Sequence, residues 1–585
     1  MNNKYKSALK TILSVLPLAG GVRGGARVFS IILASIALSS CVDTVILPEN
    51  KTLDEDFWQK KSQVESVVAA AYAQLRDGGT AATSPSFQRN IIVWSDFRSD
   101  ELMVSSDFKS INTITTGLSE IYSMNLTPTN IFTQWYPLYS CINYCNLVLE
   151  RGEGVMKIDP DYTIGDWEAN KAQVTALKAL CYFYLVRVFR DVPVTPHAYL
   201  NSSDDLQIPQ TAPAKVLQMC IDDLESVVDG APLNNAYGDA RDRGYFNKDG
   251  IHALLADIYL WRASVNKSAE DYQKCVEYCD KIFAEKKKAH TFKPYEKDKT
   301  EKDFYLSDYT NYYNDIWGEN GQNAEESIFE IQYKENNVTN TALSNMYYGY
   351  SSFTSGFGYV KTTNIYGDYS ASGSTANIFK NLVDQRIFDF CFGANAGTEQ
   401  HAIRKFVAKQ KSPEATASTF NIDRRDFTQN WIIYRLTDIM LMKAEALVQL
   451  QQPEQAFDLV KFVNDRALTN VSGALKYSTY QDKMEQLVLM ERARELCFEG
   501  KRWFDLMRYN YRHIDGTDYT KLMSEISSFP ANSDAFYEIA LSKYTAVSAM
   551  KAKMPTEPYL YMPINDEEVK INTALVQNPA FPSSK

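Results

Sequence analysis

Two segments of similar length and apolar spacing constrain the fold of this chain more than any other feature. Lys248–Ala284 and Tyr434–Leu468 each read as a helix, a turn and a second helix, because apolar residues recur three and four positions apart on both sides of the turn. In the second segment, small Ala444 and Ala456 would let two antiparallel helices approach closely. Each pair is close to the roughly 34 residues of a tetratricopeptide repeat (TPR), so we predict a mostly α-helical, TPR-like superhelix of helix pairs. Two unrelated helical hairpins in one bundle are the alternative interpretation.

Apolar periodicity and capping signals predict three other helices. The first begins near Ser62, whose spacing from Glu65 fits a capping box, and ends before Gly78. The others cover Asn170–Arg190, which is apolar on more than one face, and Pro213–Val228.

The chain between the two helix pairs has a different texture. Residues 290–400 have few periodic apolar stripes and many Tyr, Phe, Gly, Ser and Asn, while residues 327–333 read as a short strand. Long functional loops are the usual explanation for such runs inside compact proteins. We therefore predict a loop-rich second part that contains short β-strands.

The amino-terminal residues predict secretion and a lipid anchor. Basic residues precede a short apolar run, Val28–Ser40, which is too short to span a bilayer comfortably and is typical of a signal peptide. Its end, Leu38-Ser39-Ser40-Cys41, resembles the bacterial lipobox, in which the Cys is lipidated. We predict a signal peptide over residues 1–40, lipidation of Cys41 and an irregular tether over residues 41–60. A plain secretory signal with an incidental Cys is the alternative.

Charge and cysteine spacing exclude several classes of function. The formal charge of −11 argues against a nucleic-acid partner, because phosphate recognition depends on clustered Lys and Arg. Cys141 and Cys145, like Cys275 and Cys279, stand four positions apart in helical patterns, where their side chains project in parallel. We therefore predict buried thiols rather than disulfides. With five His and no CxxC or HExxH motif, no metal or cofactor is expected.

Four segments resemble the SusD/RagB family of Bacteroidetes. Residues 172–195 resemble the family helix that runs into Gly-Asp-Val-Pro, with Arg190 in place of the Gly. Residues 434–446 resemble the pattern lRyADvlLmyAEA, and residues 491–509 resemble ERxxELxFEGxRwfDLrR. The tail, residues 561–579, resembles a pattern that begins with Pro-Ile-Pro and ends with Gln-Asn-Pro.

The resemblance implies an architecture, a location and a partner. It implies four TPR-like helix pairs, a SusD-like helical region over residues 61–330 and a carboxyl-terminal region over residues 331–585. It also implies a protein that is not an enzyme, faces the cell exterior from the outer membrane, and captures a glycan. The implied partner is a SusC-like TonB-dependent barrel that takes up the glycan.

Candidate ligand residues follow from sugar chemistry. Sugar rings stack on aromatic side chains, and sugar hydroxyls take hydrogen bonds from polar ones. One short stretch combines both types, with Trp94, Asp96, Arg98 and Asp100. Alternatively, Trp94 lies in the core and Arg98 pairs with one of the two Asp residues. Weaker candidates are Trp317, Tyr350, Phe357 and Tyr359.

Two other functions and one other site stay open. Peptide capture, known for the RagB branch, would require an enclosed polar groove. A glycoside hydrolase would require two carboxylates at a fixed separation, one with a raised pKa, and no motif marks such a pair. Acids and bases between Glu491 and Arg508 fall at helical spacing, which favours ion pairs on one helix. Alternatively, Arg502 and Asp505 form a ligand site.

Overall fold

The computed structural model describes a large part of the chain. It covers residues 57–77, 86–105, 112–201, 204–289, 306, 315–317, 322–333, 338–348, 358–367, 378–379, 383–392, 402–403, 405–406, 428–468, 475–514, 552–553 and 556–582. The chain divides into two compact units, Met1–Glu55 with Leu200–Ser202, and Asp56–Tyr199 with Ser203–Lys585. The helices and strands that the structure describes lie in the second unit. Cys41, Tyr350 and Phe357 lie outside the described residues.

Helices make up most of the second unit. The longer ones are α1 (Lys61–Asp77), α2 (Thr113–Tyr122), α3 (Tyr136–Val155), α4 (Ile164–Phe189), α5 (Pro213–Val227), α6 (Lys248–Asn266), α7 (Ala269–Ala289), α8 (Leu436–Gln449), α9 (Pro453–Ala467), α10 (Gln481–Glu495) and α11 (Arg502–His513). Shorter helical turns cover Phe87–Ile91, Ile92–Phe97, Ile131–Thr133, Val228–Gly230, Arg241–Gly244, Thr341–Leu343, Ser344–Tyr348, Asn364–Gly367, Arg386–Phe390, Glu557–Leu560 and Asp566–Ile571.

The long helices pack in pairs, which include the two pairs that apolar spacing predicts. The pairs are α1 with α3, α4 with α5, α6 with α7, and α8 with α9, and each pair packs on the next through α3–α4, α5–α6 and α7–α8. Ala444 and Ala456 are fully buried, as expected where two helices approach closely. The predictions of a mostly α-helical fold and of TPR-like helix pairs are therefore confirmed.

A capping box determines where α4 begins, and a residue with positive φ determines where it ends. Its first residue lies six positions before the predicted start because Thr163 and Asp166 form a capping box, in which each side chain accepts the other's backbone N–H. Arg190 ends the helix with φ of 72°, a left-handed conformation that Gly adopts most readily. This geometry explains why the family pattern has Gly there.

Helix α1 corrects one capping prediction. It begins at Lys61, and the side chain of Gln63, rather than that of Ser62, accepts the N–H groups of Gln59 and Lys60. Pro213 at the first turn of α5 matches the prediction, since its missing N–H has no partner to lose there.

Helix α4 is the centre of the core. By length and composition alone it could cross a membrane, but 94% of its apolar stretch is buried inside the protein. Burial on all faces explains why its sequence is apolar all round rather than striped. The described part of the chain holds no other helix that meets the same criteria.

Short antiparallel strand pairs connect segments that lie between the helices. The described residues form β1 (Leu102–Val104) with β5 (Val360–Thr362), β2 (Val192–Pro193) with β3 (Gln210–Thr211), β4 (Ser327–Ile331) with β8 (Trp431–Arg435), and β6 (Cys391–Phe392) with β7 (Ala402–Ile403). The predicted strand at residues 327–333 is thus confirmed, and it pairs with the strand that leads directly into α8.

Every cysteine in the described part of the chain is buried and free of disulfides. These residues are Cys141, Cys145, Cys181, Cys220, Cys275, Cys279, Cys391 and Cys497. The prediction of buried thiols is confirmed.

Candidate functional site

Trp94 is a core residue, which corrects its interpretation as a sugar platform. It lies on the π-helical turn Ile92–Phe97 and is 0% exposed. Its indole Nε1 donates a 2.7 Å hydrogen bond to the carbonyl oxygen of Phe132, and its ring meets Phe189 edge-on at 5.8 Å. A ring enclosed in this way offers no face to a ligand.

The carboxylates that follow Trp94 hold a distant turn of the backbone instead of a ligand. Asp96 accepts the N–H of Gly500 at 2.9 Å, and Glu101 accepts the N–H of Phe498 at 3.0 Å. Phe498 and Gly500 have φ of 66° and 75°, so these acceptors stabilise a reversal of the chain between α10 and α11. Asp100 forms a two-point ion pair with Arg502 at 2.9 and 3.0 Å. The proposed ligand roles of Asp96 and Asp100 are therefore corrected.

Burial is the largest cause of the pKa shifts of Asp96 and Glu101. It raises the pKa of Asp96 to about 7, against hydrogen bonds that lower it. Burial, followed by the charge of Asp96, also raises the pKa of Glu101 well above its usual range. Such a pair resembles the acid of a glycosidase in its pKa, but the two side chains are 0% and 1% exposed. Each carboxylate accepts a backbone N–H, and both side chains are shielded from solvent.

Arg98 and Trp317 are also structural. The guanidinium of Arg98 donates to the carbonyl oxygens of Tyr559 and Leu560 and lies 4.3 Å from the ring centre of Trp503. It thereby holds the carboxyl-terminal turn against α11. Trp317 is 2% exposed and packs edge-on against Phe406. The candidate ligand roles of both residues are corrected for the same reason, which is burial.

The segment Glu491–Arg508 forms two helices rather than one. Helix α10 ends at Glu495 and α11 begins at Arg502. Most of its ion pairs therefore join different elements, although Arg494 pairs with Glu491 within α10. The prediction of ion pairs along a single helix was wrong, because the turn at Phe498–Gly500 separates the two halves of the motif.

Two buried ion-pair networks flank this turn. Glu495 accepts from three guanidiniums, those of Arg386, Arg435 and Arg466, at 2.8 to 3.0 Å. Burial alone would raise the pKa of Glu495, but these three charges hold it well below its usual range. On α11, Asp505 pairs with Arg492 at 2.9 and 3.0 Å. The contacts confirm the structural interpretation of the motif over a ligand site at Arg502 and Asp505.

Tyr359 is the described candidate that is half-buried rather than fully buried. It precedes β5, and its backbone is bonded to Ser105 and Asn345 at 3.1 Å each. Its hydroxyl accepts a 3.1 Å hydrogen bond from Nδ2 of Asn112, the residue that caps α2. Arg89 is close enough for Tyr359 to raise its pKa, although burial has the larger effect and lowers that pKa to about 10. We call Arg89, Asn112 and Tyr359 the Tyr359 cluster.

The Tyr359 cluster suits a sugar chemically. Tyr359 supplies an aromatic ring and Asn112 a carboxamide, which can stack on a pyranose and bond its hydroxyls. Arg89 is 4% exposed, so it contributes its charge to the cluster rather than a ligand contact. Sequence reasoning missed Arg89 and Asn112. The capping box of Asn112 with Thr115 is visible in the sequence, but its contact with Tyr359 comes only from the fold. The described residues contain no group of His, Cys, Asp and Glu that could hold a metal ion.

Comparison with known proteins identifies the family. The family model described as "SusD family" matches residues 389–581. SusD-like protein P38 of Formosa agariphila is 26% identical over 82% of this chain and 90% of its own length, and SusD-like protein P2 of the same organism is 21% identical over 81% and 88%. The chain is a SusD-like family protein. SusD-like proteins are binding proteins of glycan uptake that associate with the outer membrane.

Solved structures agree with this assignment at the level of the fold. A SusD superfamily protein of Bacteroides thetaiotaomicron aligns with a TM-score of 0.63 and 19% identity over 90% of this chain and 99% of its own. One from Bacteroides fragilis aligns with a TM-score of 0.65 and 16% identity over 90% and 100%. The SusD-like fold therefore extends over most of the chain, beyond the residues matched by the family model.

Proposed function

We propose that this SusD-like protein binds a glycan without cleaving it and delivers it to a SusC-like TonB-dependent barrel. In this proposal a lipid on Cys41 holds the protein at the outer membrane, facing the cell exterior. The observation that carries the proposal is the likeness to SusD-like proteins along 82% of the chain. The buried carboxylates described above support binding rather than hydrolysis, because both side chains are shielded from solvent and each accepts a backbone N–H.

The Tyr359 cluster is the proposed ligand contact. Tyr359 is half-buried, and hydrogen bonds hold both its backbone and its hydroxyl. A ring that is already fixed loses little conformational freedom when a ligand binds. Tyr350 and Phe357, which are close to Tyr359 in sequence, remain proposed contacts of the same kind.

A calorimetric screen of neutral oligosaccharides with Tyr359→Ala tests the proposal. Loss of about 80 Å² of apolar contact is worth about 2 kcal/mol, so affinity should fall roughly 30-fold. Tyr359→Phe is the matched control, because it keeps the ring and removes only the hydroxyl that Asn112 contacts. Equal affinities for wild type and Tyr359→Ala would remove Tyr359 from the site.

The purified protein also allows glycan binding to be distinguished from hydrolysis and from peptide capture. Incubation with a bound oligosaccharide for hours should leave its chain length unchanged on chromatography. Shorter products that disappear in Asp96→Asn or Glu101→Gln would establish hydrolysis instead. Calorimetric binding of peptides, with no response to any glycan, would establish peptide capture.

A further inference from the structure

Among the aromatic side chains whose burial the structure describes, two of the three exposed ones lie on one short segment. All eight tryptophans are buried, with at most 7% exposure. Of the Phe and Tyr side chains whose burial the structure describes, those with more than a third of their surface exposed are Phe57, Tyr477 and Tyr480, at 38, 39 and 68%. Single exposed apolar residues are normal on a protein surface. Tyr477 and Tyr480 are a different feature, because two exposed rings stand three positions apart on the segment that leads into α10.

The local structure holds the two rings outward. Residues 475–480 lead into α10, and Ser478 Oγ accepts the N–H of Tyr480 at 3.2 Å. Phe457 on α9 meets the Tyr477 ring edge-on at 5.5 Å. Lys483, one turn into α10, places its ammonium 5.1 Å from the ring centre of Tyr480. Each ring thus has a neighbour that orients it while much of its face stays in solvent.

Three carboxamides meet where α10 begins, directly after Tyr480. Gln451 donates to Gln481 at 2.5 Å, and Gln481 donates to Gln449 at 3.4 Å, which links the end of α8 to the start of α10. The Gln451–Gln481 contact is exposed to solvent. Carboxamides offer both donors and acceptors without charge. The surface is therefore aromatic and amide-bearing, the combination that binds the apolar faces and hydroxyls of a pyranose.

We propose that Tyr477, Tyr480, Gln449, Gln451 and Gln481 form a second glycan-binding surface, the α8–α10 platform, for an uncharged polysaccharide. It is built from different elements than the Tyr359 cluster and rests on the proposed function, since both would bind the same polymer. Exposed Lys476 and Lys483 stand beside the rings in sequence. Exposed Asp482 and Glu454, whose charge acts on Tyr477, offset them, so these four charges leave no net charge that would favour an anionic chain. An open platform suits a long polymer, whose second contact raises the overall affinity by making binding partly intramolecular.

Native gels that contain soluble starch, xylan, galactomannan or mixed-linkage β-glucan test the platform. The variant Tyr477→Ala/Tyr480→Ala should lose retardation by the polymer that retards the wild type, with apparent affinity at least about tenfold weaker. Its calorimetric affinity for a short oligosaccharide of the same polymer should stay unchanged. The matched control, Tyr477→Phe/Tyr480→Phe, keeps both rings and should keep retardation. A melting temperature equal to that of the wild type shows that the fold is intact, and Gln481→Ala, which leaves both rings in place, should weaken retardation to a smaller extent.

The outcomes separate the platform from the proposed function. Retardation lost in the double Ala variant but kept in the double Phe variant supports the platform, whatever Tyr359→Ala does. Retardation unchanged in the double Ala variant overturns the platform, while a loss in Tyr359→Ala would still uphold the Tyr359 cluster. No retardation of the wild type in any of the four gels overturns the platform for uncharged polysaccharides. Oligosaccharide binding by calorimetry would then decide the proposed function separately.

Discussion

Asp100 and Arg502 form a two-point ion pair, with oxygen–nitrogen distances of 2.9 and 3.0 Å, although 402 positions separate them in the sequence. Both side chains are 1% exposed. The pair joins the segment after the π-helical turn Ile92–Phe97 to the first residue of α11. It therefore ties the amino-terminal part of the fold to the carboxyl-terminal part.

Removal of one partner from this pair should be costly. Arg502→Ala leaves the Asp100 carboxylate buried without its cation, a change that typically costs about 3–5 kcal/mol in the free energy of unfolding. Urea denaturation followed by circular dichroism measures it. Arg502→Met combined with Asp100→Leu should lose less, because no charge stays buried alone. Lys570→Ala, which breaks an exposed pair with Glu567, serves as the control and should leave the midpoint unchanged.

The raised pKa of Asp96 predicts a pH dependence of stability. Its pKa is about 7 in the folded protein and about 3.9 in an unfolded chain. Between these values the unfolded state loses the proton while the folded state keeps it, so the free energy of unfolding falls as pH rises. Asp96→Asn removes this contribution. The stability of the variant relative to wild type should therefore increase by up to about 1.4 kcal/mol per pH unit from pH 4 to 7. A constant difference across urea titrations in that range would contradict the assignment.

Trp94 should behave as a core residue. Trp94→Ala removes a fully buried ring and should cost about 3–5 kcal/mol of stability, with a lower melting temperature. Trp94→Phe keeps most of the packing but loses the hydrogen bond to Phe132, and a typical net cost for one such bond is about 1 kcal/mol. An unchanged melting temperature for Trp94→Ala would show that the ring is not packed as described.

Lipidation should depend on Cys41. Cys41→Ala should fail to incorporate radiolabelled palmitate and should partition into the aqueous phase of a detergent extraction. The reason is that a stable membrane residence by lipid requires the diacylglycerol and N-acyl chains that the Cys would carry. Cys391→Ala is the matched control, since that thiol is buried and should leave labelling unaltered. Palmitate in the Cys41 variant would contradict the lipobox interpretation.

Local patterns in the sequence were sufficient for the helix pairs and the buried thiols. Apolar spacing located α6 with α7 and α8 with α9 because each helix must bury one face against its neighbour. The motif at Glu491–Arg508 was also recognisable, but its division into two helices by a turn was not. The positive φ of Phe498 depends on Glu101, which accepts its N–H, and on Tyr347, whose hydroxyl donates to its carbonyl oxygen. Both are distant from Phe498 in the sequence.

The sequence by itself therefore determined the class of the fold and the family, since both are carried by short-range periodicity and contiguous motifs. Only the tertiary structure decided which aromatic and charged residues are accessible. In the sequence, Trp94 fits a sugar-binding residue because polar side chains follow it. In the structure, however, its indole N–H is bonded to the carbonyl oxygen of Phe132 and the ring of Phe189 packs against it. Tyr477 and Tyr480 have no distinguishing pattern and stay exposed. Exposure depends on what the rest of the chain places around a side chain, and that information is not local.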